Sequence, residues 1–368
     1  MRAAVLALVP VVLAAPAAGA RAPAGKLAFL ERGSLVVVDL ASGSRRVVAT
    51  HVSGTPGLSG DGALVSVGGR IVGGPRLGKG KIVWAPMGET AAFQTPTGAV
   101  FTWSPTAGRR LVVGASWGAT SFAWGRHGEL ALGRAVCHAP CGVPLHEEVW
   151  IWHAGSLRRV AGPLSGEQRP MVAAVAGDGR ALWWSWESAS TAADGTRLYA
   201  NRAHVADSLV YPDYVSVCGS HLAVAAGHDR FAMHAKSIRF DGRDVSRDSS
   251  RSWVSPSCTP DGTLVAAASV NRQPPRIGRE HRSIWQLLPT RRRLTSPPAG
   301  WSDEFPRLLR DGSVVFVRTR SHSTRTALWG VGTVELLRGG KLTALGSASR
   351  ASNYYGHYDW PDVVAVAP

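Results

Sequence analysis

The chain is 368 residues long, with 42 Gly, 23 Pro and 14 Trp and only 18% charged residues, a composition that argues against a helical protein and for strands and turns. Its formal net charge of +16 is carried mostly by arginine, because lysine stands only at Lys26, Lys79, Lys81, Lys236 and Lys341. Such a bias also arises from a GC-rich genome, so charge by itself names no partner.

The first twenty residues, MRAAVLALVPVVLAAPAAGA, carry one arginine, an apolar run and small residues ending Ala18-Gly19-Ala20. That is the pattern of a secretory signal peptide cleaved after Ala20. The run is shorter than the roughly 20 apolar residues that span a bilayer, and Pro10 and Pro16 spoil a long helix. No later stretch approaches membrane length. The expectation is an exported, soluble and monomeric mature chain in the periplasm or cell wall, with residues 21–368 forming one domain.

Along that domain one unit recurs: an apolar-aromatic strand, a turn and a basic strand. It reads SLVVVDLASGSRRVVAT (34–50), AVFTWSPTAGRRLVVGAS (99–116), EVWIWHAGSLRRVAGP (148–163), TRLYANRAHVADSLVY (196–211), SIRFDGRDV (237–245), SIWQLLPTRRRLTS (283–296) and TALWGVGTVELLRGGKLTAL (326–345). Upstream of most copies lies a turn and another strand, as in LSGDGALVSV (58–67), AGDGRALWWSW (176–186), TPDGTLVAAAS (259–269) and LRDGSVVFVRT (309–319). Most turns recur at about 40 to 50 residues, the length of a four-stranded propeller blade. Asp-Gly between two strands predicts a hairpin with φ > 0 at both central positions. The fold class is therefore all-β, a single β-propeller.

The copy Ser257-Cys258-Thr259-Pro260-Asp261-Gly262-Thr263-Leu264-Val265, followed by Ile284-Trp285 and Arg293-Leu294-Thr295, resembles the TolB-type propeller repeat. The resemblance covers nearly all of the mature chain, with Pro-Asp-Gly intact only at Pro260–Gly262. It implies a fold and carries no catalytic residues with it.

Seven aromatic strands but eight turns are visible, which leaves seven or eight blades. The stretch LSGDGALVSVGGRIVGGPRLGKG has room for little more than a hairpin, and this favours eight blades with the second reduced. The C-terminal NYYGHYDWPDVVAVAP is expected to pair with KLAFLERG and so close the ring, leaving no exposed sheet edge.

Gly114-Ala115-Ser116-Trp117-Gly118 has the spacing of a serine-hydrolase nucleophile elbow, which needs a strand before the serine and a helix after it. The segment GATSFAWGRHGEL that follows is no helix, and Ser116 is expected to be a junction residue between blades. CHAPC (137–141) with His138 and His146 could bind zinc, but its spacing and an oxidising compartment favour a Cys137–Cys141 disulfide. Aligning YVSVCGSHLAVAA with VSPSCTPDGTLVAAA puts Cys218 and Cys258 at one point of successive blades, close enough to bridge. The alternative is two buried free cysteines. His228, Asp229 and His234 could hold a metal, though solvated loop residues fit them better. No cofactor and no metal is expected.

Trp103, Trp150, Trp152, Trp285 and Trp329 recur at equivalent strand positions and read as core, as do Tyr354, Tyr358 and Trp360 on one strand face. Between Arg276 and Arg325 arginine outnumbers acid, and Arg276, Arg279, Arg282, Arg291, Arg292, Arg293, Arg307 and Arg310 form a candidate basic rim. Arginine binds carboxylate and phosphate bidentately, so a protein or an anionic envelope polymer is the expected partner. Nucleic acid is not expected, because no recognised aromatic-basic module is present. The functional expectation is a non-catalytic binding propeller. The alternative is an extracytoplasmic propeller enzyme, a hydrolase, lyase or quinone-dependent oxidoreductase with its site at one mouth of the channel.

Overall fold

The computed structural model describes residues 25–78, 82–137, 145–165, 169–186, 196–273 and 276–367; the expected signal segment lies outside them. Short apolar runs such as Leu35–Val38 are buried almost without interruption, because each sheet is covered on both faces by its neighbours. The buried clusters accordingly run across blade boundaries, and one of them joins Phe240, Trp253, Ile284 and Phe316 from three successive sheets.

The sheets form a ring of eight blades, an eight-bladed β-propeller. Blade 1 combines residues 26–49 with the C-terminal strand Val364–Ala367, which lies innermost and pairs Lys26 with Ala367 and Phe29 with Val364. The second blade is the reduced one, with only Pro56–Leu58, Val65–Val67 and Arg70–Ile71. Blades 3 to 8 occupy residues 83–113, 119–165, 169–208, 215–244, 251–293 and 302–358. No helix among the described residues is long and apolar enough to cross a membrane.

In each four-stranded up-and-down sheet, the turns joining strands one and two (counted from the channel) and strands three and four share a face. The remaining connections lie on the opposite face. The turns that announced the repeat all belong to the first kind, and their geometry meets the sequence expectation only in part. Where the turn joins strands one and two, only the glycine of the Asp-Gly pair takes φ > 0, as at Gly62 (+69°), Gly179 (+80°), Gly262 (+84°) and Gly312 (+82°). At Asp241-Gly242, between strands three and four of blade 6, both residues do (+49° and +80°), as the sequence predicts. The turn closes through Gly262 N–H donating to the Thr259 carbonyl at 3.0 Å, while the Asp261 carboxylate accepts from the Thr259 hydroxyl at 2.5 Å and the Thr263 amide at 3.2 Å. This is a type I turn followed by a left-handed glycine, which the aspartate supports through its side chain and not through a positive φ.

Two features of the last blades shape the channel. The innermost strands Arg251–Cys258 and Ser302–Leu308 each carry a bulge, between Val254 and Ser257 and between Glu304 and Arg307. At these bulges Ser255 and Phe305 adopt φ of 51° and 54°, a conformation costing about 1–2 kcal/mol for residues with a side chain. Bulges re-aim side chains, and here they direct Ser255 and Arg307 towards the axis. Secondly, the strands Leu328–Arg338 and Lys341–Tyr354 outrun their sheet, and the chain folds back at Tyr355-Gly356 so that Asn353 pairs with Tyr358.

Candidate functional site

The channel has two unlike ends. At the face of the Asp-Gly turns a pocket of about 390 Å³ opens on the axis, walled by innermost-strand ends and turns from blades 1 and 3 to 8. Its walls are largely apolar, including Trp124, Val175, Val217, Leu308 and Val366. Among the described residues its charged lining is Arg126, Arg307 and Arg310, and no carboxylate lines it. None of these three arginines has an ion-pair partner among the described residues. Arg126 and Arg310 are exposed on their turns. Arg307 is partly buried, stacks on the Phe305 ring with its guanidinium carbon 3.6 Å from the centroid, and donates to the Pro306 carbonyl at 3.1 Å. Burial draws its guanidinium down to about 10, opposed by the charge of Asp213. The carboxylates of the surrounding turns, Asp61, Asp178, Asp261 and Asp311, accept hydrogen bonds within their own turns.

The Cys218–Cys258 disulfide lies in the wall of this pocket and staples blade 6 to blade 7 with a Cα–Cα distance of 5.7 Å. This is the pairing derived from the blade alignment. Turn packing is equally close nearby, since a Cβ on Gly177 would sit 2.0 Å from the Gly219 carbonyl oxygen, which only glycine permits.

Over blades 6 to 8 the opposite face is closed. The hairpin turn at Tyr355-Gly356 reaches from blade 8 across blade 7 to blade 6, where the Ala232 amide donates to the Tyr355 carbonyl at 2.9 Å. Arg282 donates to the Gly356 carbonyl at 2.8 Å and to both oxygens of Glu304 at 2.8 and 2.7 Å. His357 Nε2 meets Asp213 Oδ1 at 2.7 Å, and Ser255 donates to Asp213 Oδ2 at 2.5 Å. Tyr211 stacks on the His357 ring at 3.7 Å, and the Tyr358 hydroxyl donates to Glu280 at 2.9 Å. Only about 10 Å³ of cavity remains among these groups. Burial would raise the Asp213 carboxyl, but the His357 charge and hydrogen bond hold it at about 2. Burial would lower His357, but Asp213 overrides this and raises the imidazole to about 9. The pair is therefore ionic at neutral pH.

Serine, aspartate and histidine meet here, yet not as a nucleophilic triad. The carboxylate stands in the middle and occupies both partners, whereas a nucleophilic serine needs the imidazole itself as its base. The arrangement locks the hairpin, and it escaped sequence reasoning because Asp213 and His357 are 144 residues apart. The only local signal was the aromatic tract NYYGHYDW.

The anticipated basic rim is divided by the fold. Arg276 and Arg279 are exposed in the loop between the second and third strands of blade 7, on the closed face. Arg282 is not on a rim at all: it is 1% exposed, because Glu304 and Gly356 hold it inside the lock. Arg291 is tied to Asp248 at 2.8 Å and to the Ser246 carbonyl at 2.9 Å, over the Trp253 and Trp285 rings. Arg293 donates to Ser283 and Thr295, and Arg292 to Gln286. Arg307 and Arg310 join Arg126 at the open mouth, and Arg126 was missed because it comes from a distant blade.

Ser116 lies exposed on a three-residue 3-10 turn, Ala115–Trp117, between blades 3 and 4. No α-helix follows it, so the elbow is absent. Ser116→Ala is expected to leave any hydrolytic activity of the protein unchanged, and labelling of Ser116 by a serine-directed fluorophosphonate would contradict this. Cys141 and His138 fall outside the described residues, and His146 faces Glu148 at 3.5 Å. His228 pairs with Asp207 and His234 with Asp229, so the three candidate ligands do not converge. Among the described residues no group of three or more His, Cys, Asp or Glu is placed to hold a metal. Of the tryptophans expected in the core only Trp152 is buried; Trp103, Trp150, Trp285 and Trp329 are half-buried on outer strands, with Arg251 and Arg350 stacked over Trp285 and Trp329. Tyr358 and Trp360 are buried, but the hairpin turn puts Tyr354 on the outside, 55% exposed.

No family model matches the chain, and no curated protein sequence matches it. Among solved structures it is similar to dipeptidyl peptidase 4 of Porphyromonas gingivalis, with a TM-score of 0.54 and 12% identity over 88% of this chain and 57% of that one. It is also similar to an acylaminoacyl peptidase of Pyrococcus horikoshii, with a TM-score of 0.47 and 10% identity over 88% and 48% of the two chains. For the β-propeller domain of the Trilobed protease from Pyrococcus furiosus the values are 0.41 and 11% over 72% and 90%. The chain spans about half the length of the acylaminoacyl peptidase, at 48%. At these identities the likeness is one of fold, and the class defined is the eight-bladed β-propeller.

Proposed function

We propose that this is a secreted, non-catalytic propeller that binds an anionic partner, an acidic protein segment or an anionic envelope polymer, at the open mouth of its channel. The observation that carries this is the convergence of Arg126, Arg307 and Arg310, without a carboxylate partner, on one solvent-open mouth. A guanidinium presents five N–H donors in a fork that fits carboxylate or phosphate, and most of those donors are uncommitted here. Secretion is supported by the N-terminal pattern and by a disulfide between blades, which persists in oxidising compartments.

The test separates site from net charge. Arg126→Glu with Arg310→Glu should elute from a sulfonate cation exchanger no later than Arg276→Glu with Arg279→Glu, since both lose the same charge. On immobilised poly-L-glutamate, however, the mouth pair should lose much more retention than the closed-face pair. Salt should weaken retention of the parent protein as the Debye length shortens. Equal losses on poly-L-glutamate would mean that net charge alone governs binding.

A further inference from the structure

We propose that the open mouth is, more narrowly, a pocket for an amphipathic anion: a small molecule with one carboxylate or phosphate head and an apolar body. This rests on the anion-binding reading of the same mouth and adds the class of ligand. A densely charged chain would engage only the exposed arginines at the lip, Arg126 and Arg310. The deeper wall is built for something else.

Three observations point there. At about 390 Å³ the pocket falls in the range of small-molecule sites, about 300–1,000 Å³, and the hairpin lock, with about 10 Å³ of cavity, sits farther along the same innermost strands of blades 7 and 8. Trp124, Val175, Val217, Leu308 and Val366 offer an apolar body a surface to cover. Arg307 stands among them as the deep charge of the described lining. Its contact with Phe305 places the guanidinium over that ring, and among the described residues its one hydrogen bond to a protein group goes to the adjacent Pro306 carbonyl. Asp213 is the nearest source of opposite charge, but His357 and Ser255 occupy its two oxygens. A partly desolvated guanidinium with open donors is stabilised by an oxyanion that enters without its hydration shell. A ligand with one anionic head and an apolar body satisfies that arginine and the walls together.

The experiment is a calorimetric titration of the full mature chain with 1-naphthoate, 1-naphthyl phosphate and the neutral 1-naphthylmethanol. At least one of the two anions should bind about tenfold or more tighter than the alcohol, and the better of the two identifies the head. Arg307→Met, which keeps the length and the contact with Phe305, should weaken that anion about tenfold. The exposed double variant Arg126→Met/Arg310→Met decides the matter if Arg307→Met fails to fold, and it should weaken the anion about threefold or more. Equal binding of anion and alcohol, or unchanged anion binding in these variants, overturns the proposal. Loss of poly-L-glutamate retention in Arg126→Glu/Arg310→Glu, with no naphthyl anion bound by the parent, would overturn the pocket and leave the lip reading standing.

Discussion

Replacing His357 with alanine should destabilise the fold by about 3–5 kcal/mol, the cost of leaving one member of a buried ion pair without the other. The stranded group is Asp213, 3% exposed, which keeps only Ser255 and the more distant charge of Arg307. The double variant Asp213→Asn/His357→Ala should recover part of the loss, because no bare carboxylate then remains; urea unfolding of both variants measures this. The pair also fixes a pH window. His357 is raised from about 6.5 to about 9, so its contribution is complete below about 6.5 and disappears as pH rises through 9. Asp213 is lowered to about 2, so its contribution is complete above about 4 and disappears as pH falls towards 2. The difference in stability between the parent and His357→Gln should therefore be largest between about pH 4 and 6.5 and shrink towards pH 9. A difference that is flat with pH would mean that the pair is not ionic.

Removing the disulfide by Cys218→Ala with Cys258→Ala should cost up to about 4 kcal/mol, the loop-closure entropy restored to the unfolded chain. The relevant loop is the sequence separation of 40 residues. Changing both cysteines avoids a lone buried thiol, and the polar contacts of the two sulfurs among the described residues are weak ones to Ser216, with its hydroxyl at 3.4 and 3.6 Å. The loss should appear in the urea midpoint, with at most a small rise in slope because the chain without the cross-link unfolds to a more open state. A change below about 1 kcal/mol would mean that blades 6 and 7 are held by their shared core alone, around Trp253 and Ile284.

Much of the architecture was legible because it is written in local signals that repeat. Pro260-Asp261-Gly262 marks a turn by its own chemistry, and the same register carried over to other blades located the Cys218–Cys258 bridge and the ring closure at Lys26–Phe29. The reduced second blade could be read from a segment too short for four strands. The turn type could not, because Asp-Gly serves both a turn with two positive φ values and one with a single left-handed glycine.

Burial of individual charges and aromatics was the part that sequence left open. Arg276, Arg279 and Arg282 look alike in one basic stretch, yet Arg282 is buried, since its partner Glu304 comes from the next blade. Trp103, Trp150, Trp285 and Trp329 recur faithfully because outer strands need half-covered amphipathic rings, a pattern that periodicity cannot distinguish from core. The open mouth was hidden for a related reason. Arg126 belongs to blade 4 and Arg307 and Arg310 to blade 8, and only closure of the ring brings them to one pocket.

The central claim is that the arginine-lined mouth, and not the closed face, receives an anionic ligand. Hydrogen exchange of the protein with and without bound hexa-L-glutamate tests it most directly. Protection should concentrate in the turns that carry Met87, Arg126, Gly219 and Arg310. Protection confined to the loop carrying Ala232 and to the hairpin around Gly356, or no protection anywhere, would contradict it.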